Sequence, residues 1–519
     1  MSKKTYYVTT PIYYVNDVPH IGHSYTTIAA DVLARFFRSQ GRSVHFLTGT
    51  DEHGIKIVKA AAEKNMTPTE LSDQVVVGFR QLWQDLNISN DDFIRTSEPR
   101  HEKRVQALIS TLVAKDEIYQ GKYEGWYDEG QEEFVTESTA RDNQYRSAIN
   151  GKPLVRYSET NYFFRLSKWV PRLIEHIQAN PLFVQPDSRR NEVLSKLRQG
   201  VEDLCVSRSK AKLPWGIDMP NDSSHVVYVW IDALSNYYTA LGLPAIGDEY
   251  DNGNAGFWPC DVHLIGKDIL WFHAVYWPCM LMALEIPLPR CVFAHGWWTS
   301  EGQKMSKTLG NFISRDEIAR LCGEYSRDVY RYFLLRAVAF GADGDFSLDQ
   351  FRERYNAELA NGVGNLLSRT VNMIAKYFAG QVPPPAAPPE QAADIVAAAE
   401  ALTASAEGLM EACAFHAYMD KIQAIVATTN RFIEVTEPFK LAKDPAHRQT
   451  LAAILRSCAE AVRIILLYLQ PVMPEAAAAG LAQLGVVPAA GTLAEQGRWG
   501  LLGDDVKVGA FQPLFPRKQ

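Results

Sequence analysis

Thr9-Thr10-Pro11-Ile12-Tyr13-Tyr14-Val15-Asn16-Asp17-Val18-Pro19-His20-Ile21-Gly22-His23 lies between two differently patterned stretches. Before and into it runs TYYVT (5–9), β-branched and aromatic, which predicts a strand. After it, YTTIAADVLARFF (25–37) carries apolar residues at helical spacing. His20-Ile21-Gly22-His23 therefore falls where a strand hands over to a helix N-terminus. Free backbone N–H groups and the helix dipole favour anions there. His20 and His23 are three apart, so one helical turn puts both imidazoles on one face. Gly22 lets a ligand approach the backbone closely. Taken alone, the string equally suits two surface histidines in a loop.

The pattern repeats downstream. VHFLT (44–48) predicts a second strand, GTDEHG (49–54) a polar loop, and a helix starts at Ile55. Strand, Gly-bounded loop and helix in repetition predict βαβ units of a parallel sheet, with ligands at the carboxyl ends of the strands. Amphipathic helical stretches follow at 68–86 and 100–115. From Ile118 the texture changes to IYQGKYEGWYDEGQEEF, a β-rich insertion that reaches the aromatic strand NYFFR (161–165), with a helix over 166–178. Arg189, Arg190, Lys196, Arg198, Arg208, Lys210 and Lys212 form a basic run, either a solvated surface or a basic binding face. The α/β texture returns with VVYVWI (226–231), expected as a buried strand, then VHLI (262–265), a helix over 269–284 and a short strand at 292–294. The two halves of such a split sheet share one nucleotide crevice. From Asp349 the chain reads as helices at 359–377, 392–413, 414–436 and 449–469, interrupted by a Pro-rich linker at 382–389.

The composition is that of a globular protein: 519 residues, 47% hydrophobic, 22% charged, net charge −7. This excludes a wholly basic nucleic-acid coat but not a local RNA-binding face. The seven cysteines are scattered, without a CxxC pair, as expected of reduced thiols. No apolar leader precedes the first strand, and the most apolar stretch, 462–469, is too short to span a bilayer. A cytoplasmic protein without membrane contact is expected.

A second stretch, Lys304-Met305-Ser306-Lys307-Thr308, lies in the loop GQKMSKTLGN. Two lysines three apart on a Gly-flanked loop suit a polyphosphate, because ammonium charge is needed where pyrophosphate leaves. PHIGH together with KMSKT is similar to the paired signatures of class I aminoacyl-tRNA synthetases. The chain resembles the methionyl-tRNA synthetases over essentially its whole length, through TPIYYVNDVPHIGH, TGTDEHG, YVWIDAL, HLIGKDILWFHAVYWP, HGWW, KMSKTLGN, ANGVGNLLSR and TEPFKLAKD.

The resemblance implies an α/β fold. It divides into a split Rossmann-type catalytic domain (1–117 and 226–290), an inserted domain (118–225), a lysine-loop region contacting the tRNA stem (291–348) and an α-helical anticodon-binding domain (349–519). It implies activation of methionine by ATP with Mg²⁺ to methionyl-adenylate, then transfer to initiator and elongator tRNA(Met). His20, His23, Lys304 and Lys307 match the catalytic positions, and with Gly22, Gly266 and His295 the ATP-binding ones. Ile12, Tyr14, Asp51, Trp230, Ala233, Tyr237, Asp268, Phe272, His273 and Trp277 match the methionine pocket, Asp268 as the carboxylate for the substrate ammonium. An aromatic wall suits a soft, apolar thioether, and a carboxylate beside an apolar run calls for a charged partner. Asn365 and Arg369 match the anticodon-reading pair, and Phe439 occupies the position of a stacking Trp.

Two departures from the family stand out. Asp128 and Gln131 fall where many relatives carry a zinc-binding CxxC, so no zinc is expected. The chain stops at Gln519 without the extension that dimerises longer relatives, so a monomer is expected. Other members of the class fit less well. Enzymes for branched amino acids carry a larger editing insertion, and the cysteine enzyme needs pocket zinc. A non-catalytic RNA-binding paralogue would lack signature residues, whereas all four are present.

Overall fold

The computed structural model describes residues 5–16, 18–131, 133–243, 253–300, 302–305 and 312–518. The first half builds strands and helices alternately: β1 (Thr5–Tyr14), α1 (Ile21–Ser39), β2 (Ser43–Asp51), α2 (Ile55–Glu63), α3 (Pro68–Asp85), β3 (Asp92–Arg95) and α4 (Pro99–Ala114). The inserted segment folds as β4 (Ile118–Asp128), β5 (Glu133–Val135), α5 (Glu137–Asp142), β6 (Val155–Phe164), α6 (Leu166–Ala179), β7 (Val184–Gln185), α7 (Asp187–Leu197), β8 (Leu204–Cys205), β9 (Ser207–Ser209), β10 (Asp218–Met219) and β11 (Asp222–Val227). Then come α8 (Val229–Thr239), β12 (Val262–Gly266), α9 (Trp277–Ala283), β13 (Val292–His295), β14 (Trp298–Ser300), β15 (Gln303–Lys304), α10 (Arg315–Glu324), α11 (Arg327–Arg336) and β16 (Gly344–Phe346). The rest is helical: α12 (Leu348–Arg354), α13 (Asn365–Tyr377), α14 (Ala393–Glu411), α15 (Phe415–Thr436), α16 (Pro438–Leu441), α17 (Arg448–Leu469), α18 (Pro474–Leu484) and α19 (Leu493–Gln496).

The central sheet has the order β3-β2-β1-β12-β13-β7, and every pair in it is parallel. Its strands read as near-continuous buried runs because helices cover both faces. Chain order reverses between β1 and β12, where the two halves of the domain meet, which is the usual place for a ligand in such a sheet. The β1–β2 register shifts between Thr9 and Ile12, around Pro11, and resumes with Ile12 opposite Gly49 and Tyr14 opposite Asp51. At Gly49 a Cβ would stand 2.0 Å from the Ile94 carbonyl oxygen, so only glycine lets β2 and β3 close here.

The structure corrects two expectations. VVYVWI is not a strand of the main sheet. β11 ends at Val227 in a separate antiparallel sheet with β9 and β10, and the chain turns helical at Val229. The apolar run is buried as the start of α8, and periodicity does not separate a short buried strand from a buried helix. Within the inserted segment, Val184–Gln185 returns to extend the main sheet beside β13. The helix expected over 269–284 is broken up: Lys267–Ile269 is a 3₁₀ turn, Phe272–Tyr276 a π-helical turn, and only Trp277–Ala283 regular α9. A second π-helical stretch, Tyr355–Gly364, precedes Asn365. The linker over 382–389 is non-helical as expected.

A buried ion pair ties these parts together. Asp31 of α1 and Arg331 of α11 have fully buried side chains and meet at 2.7 Å. Arg331 also donates to the carbonyls of Leu86 (3.2 Å), Pro471 (3.2 Å) and Val472 (2.9 Å). Asp31 accepts from Arg35 and from the backbone and hydroxyl of Ser89. Burial alone would raise the Asp31 carboxyl, but the guanidiniums of Arg331 and Arg35 outweigh it and hold it below its ordinary range. Removing one member of such a pair strands a charge at a cost of about 3–5 kcal/mol, whereas apolar replacement of both is often tolerated. Asp31→Ala is therefore expected to lower the denaturation midpoint far more than the double substitution Asp31→Leu with Arg331→Met. Equal losses in urea unfolding would show that the charges themselves are not what the site needs.

Candidate active site

His20 is the N-cap of α1, with extended backbone (φ −144°, ψ 179°). Its Nδ1 accepts from the Gly22 N–H at 3.1 Å. The His23 Nδ1 accepts from the His20 N–H at 3.2 Å, which completes a reciprocal capping box. Both Nδ1 atoms act as acceptors, so each neutral ring carries its proton on Nε2. The signature thus presents two N–H donors from one helix end, with ring centroids 3.9 Å apart. Gly22 is required by the cap itself, because a Cβ there would meet the His20 ring at 2.9 Å. Burial first, and the neighbouring His20 second, push the His23 pKa well below its ordinary value, which keeps the ring a neutral donor. Tyr13 supports it edge-on at 4.7 Å while its own hydroxyl bonds Thr27 at 2.8 Å.

The return from the lysine loop docks on this helix end. Ser314 forms an antiparallel bridge with His20, and the Ile21 N–H donates to the Ile313 carbonyl at 3.1 Å. Phe312 meets the His20 ring at 5.1 Å. On the way in, Lys304 belongs to β15, paired through Thr299 with β14. Lys307 lies outside the described residues. The chain that follows the lysine signature is thus held by main-chain bonds at the N-terminus of α1.

At the end of β13, His295 is buried against α1. Its Nε2 meets the Thr26 hydroxyl at 2.6 Å and its Nδ1 lies 2.8 Å from the Gly296 carbonyl. Burial lowers its pKa, so it too is neutral. Gly266 ends β12, and a Cβ there would stand 2.5 Å from Asp268 Oδ1 and 3.9 Å from the His295 ring. Asp268 itself is exposed, and its Oδ1 accepts from the Trp297 indole at 3.1 Å. Although Lys267 precedes it in the chain, the 3₁₀ turn at Lys267–Ile269 leaves the Asp268 carboxylate on the surface beside Trp297. Lys267 bonds Asp343 instead, at 2.7 Å.

The aromatic residues come from α8 and the π-helical turn. Trp230 stacks on Phe272 with centroids 3.7 Å apart and planes 4° apart. Ile12, Tyr14 and Trp230 are partly buried against one apolar cluster that contains Tyr237, Phe272 and Trp277. Ala233 is buried on the same helix. The Tyr237 hydroxyl meets His273 Nε2 at 2.7 Å, and His273 Nδ1 lies 3.0 Å from the Ile269 carbonyl, so the ring donates to that carbonyl and accepts from Tyr237. Burial pushes the His273 pKa down to about 4. Trp277 is fully buried beside Tyr237 and Trp258. Asp51, opposite Tyr14 at the end of β2, is 3% exposed. The adjoining loop is fixed by Glu52, which bonds Arg95 at 2.7 and 3.0 Å, and by the Trp215 indole donating to the Glu52 carbonyl at 2.6 Å.

Far along the chain, Asn365 is exposed at the start of α13, and the half-buried Arg369 donates to Asn430 of α15 at 3.4 Å. Phe439 is 46% exposed on the short α16 that follows α15. Asn430 escaped the sequence reading, since only the packing of α13 on α15 brings it to Arg369. The basic run at 189–212 is not one surface. Arg189 and Arg190 pair with Glu192 and Asp187, Lys210 with Asp218, Lys196 lies over Trp271, and Arg208 is buried between Tyr127 and Tyr228. Where relatives carry thiolates, the buried Asp128 closes a turn by accepting from the N–H groups of Gly130 and Gln131.

Comparisons with known proteins agree with this geometry. The family model described as "tRNA synthetases class I (M)" matches residues 6–143 and 142–371. A methionine–tRNA ligase of Caldanaerobacter subterraneus is 46% identical over 99% of this chain and 79% of its own length. One of Rickettsia bellii is 46% identical over 93% of both chains. The solved structure of Mycobacterium tuberculosis methionyl-tRNA synthetase in complex with methionyl-adenylate superposes with a TM-score of 0.92 at 39% identity, covering 99% of this chain and all of that one. With the histidine signature at the head of α1, residues 312–314 docked on it and a likeness running the length of the chain, this protein belongs to the class I tRNA synthetases of the methionine type.

Proposed function

We propose that the chain activates L-methionine with ATP and transfers it to tRNA(Met). The observation that carries this reading is the docking of the 312–314 segment, which follows the lysine signature, on the helix end that holds the two imidazole donors. In the first step a methionine carboxylate oxygen attacks the α-phosphorus, and the bond to the bridging oxygen breaks to release pyrophosphate. Charge builds on phosphate oxygens, and the Nε2–H groups of His20 and His23 are arranged to donate to it. Lys304 and Lys307 are assigned to the β- and γ-phosphates, whose Mg²⁺ arrives with ATP as part of the substrate. Gly266 and His295 are assigned to the nucleotide. No protein nucleophile takes part, so catalysis is positioning and electrostatics. In the second step the terminal ribose hydroxyl of the tRNA attacks the adenylate carbonyl and AMP leaves.

For the amino acid, Ile12, Tyr14, Trp230, Ala233, Tyr237, Phe272, His273 and Trp277 are assigned to the thioether side, with Asp51 and Asp268 for the ammonium. The stacking of Trp230 on Phe272 supports an ordered aromatic wall on this side. Amino-acid-dependent ATP–pyrophosphate exchange tests the assignment: methionine is expected to support it far above the other nineteen, and a greater rate with any other amino acid removes the reading.

Asn365, Arg369 and Phe439 are assigned to the anticodon. Arg369→Ala is expected to leave exchange within twofold and to cut aminoacylation by tenfold or more. Equal damage to both steps would place Arg369 in folding. The inserted domain is read as zinc-free, because Asp128 and Gln131 stand where a CxxC would fall and residues 141–151 hold no Cys or His, and the chain is read as a cytoplasmic monomer. Elemental analysis is expected to find no stoichiometric zinc, and light scattering a mass near 58.2 kDa. One zinc per chain or a dimer mass would overturn the respective reading.

A further inference from the structure

Behind the proposed methionine pocket lies a closed polar cluster. Asp232 of α8 is 1% exposed, and its two carboxylate oxygens each meet an imidazole nitrogen at 2.7 Å. One is Nδ1 of His53, in the loop after β2, and the other is Nε2 of His101, on α4. His101 returns to α8 through its Nδ1, which lies 2.7 Å from the Thr239 hydroxyl. Glu102 faces the far side of His53 at 3.9 Å. An ionised carboxylate buried among apolar neighbours persists only when such donors converge on it. Burial would depress the His53 pKa, but Asp232 outweighs it and the net shift is upward, consistent with a held ion pair.

The geometry of α8 gives the cluster a purpose. At 100° per residue, Trp230, Ala233 and Tyr237 share one face of the helix, and Asp232 and Thr239 lie on roughly the opposite one. The polar side grips His101 at two points two turns apart, and the front side carries the aromatic wall. His53 stands two residues from Asp51 in the chain, on a loop that Arg95 and Trp215 already hold. Asp232 therefore sets the distance between the strand end that bears Asp51 and the helix that bears Trp230.

We propose that Asp232 is a positioning residue for the amino-acid pocket, acting through His53 and His101 without touching substrate. This rests on the methionine reading above and assigns α8 a specificity role within it. A carboxamide keeps the volume but replaces one acceptor oxygen with an NH2 donor, so Asp232→Asn can accept from only one imidazole N–H and removes the charge between the two rings. In ATP–pyrophosphate exchange it is expected to raise the methionine KM tenfold or more, with the ATP KM within twofold and kcat within threefold. The Kd for methionine alone, read from tryptophan fluorescence, is expected to rise in parallel. A methionine KM within twofold of the parent overturns the proposal, as does a fall in kcat alone or an equal rise in both KM values. Should Asp232→Asn not fold, Thr239→Val loosens the same grip more gently, with a severalfold rise in the methionine KM expected and no change overturning the idea. If the parent chain shows no methionine-dependent exchange, it is the activity assignment that fails, whatever the variants do.

Discussion

The ion pair between Asp31 and Arg331 lies out of reach of water and holds four parts of the chain at once. Asp31 sits in the middle of α1, the helix whose first turn carries His20 and His23. Arg331 belongs to α11, beyond the lysine loop, and reaches the carbonyls of Pro471 and Val472 where α17 has ended. Ser89 and Leu86 add the connection between α3 and β3. In the low dielectric of that interior each charge depends on the other and on the hydrogen bonds around the pair. The position of the signature helix is thereby tied to the helical half of the molecule, more than a hundred residues away in sequence.

At the site itself, imidazoles are held by main chain or by other side chains before any ligand arrives. His20 and His23 spend Nδ1 on backbone N–H groups, His273 spends Nδ1 on a carbonyl and Nε2 on Tyr237, and His295 is taken up by Gly296 and Thr26. Burial lowers the pKa of His23, His273 and His295, so the rings work as neutral, oriented dipoles. Preorganised donors of this kind cost no reorganisation when charge develops.

Strands β1, β2, β12 and β13 were legible in the sequence as short β-branched or aromatic runs, and α1 and the long C-terminal helices as periodic ones, whereas β3, four residues long, was not legible as a strand. VVYVWI was not, since six apolar residues satisfy either a strand or a buried helix, and packing on α4 chose the helix. Val184–Gln185 was not, because two residues carry no period and their strand character comes wholly from β13 beside them. Asp268 was identified by its motif, but its exposure and its bond to Trp297 depend on the 3₁₀ turn beneath it. Asp232 was a readable anomaly, a carboxylate inside an apolar helix, yet its partners come from residues 53 and 101, which no local pattern connects to it.

By itself the sequence determined the chemistry on offer: two histidines at a helix start, two lysines on a glycine-flanked loop, and an aromatic set beside a carboxylate. Residue types and short spacings suffice for that, since a capping box and a helical face are local structures. Only the tertiary structure decided which of these groups meet, how His273 and His295 are held, and which carboxylate is buried and which lies at the surface. Those outcomes depend on hydrogen bonds and burial between segments as far apart as Asp31 and Arg331, or His20 and Ser314.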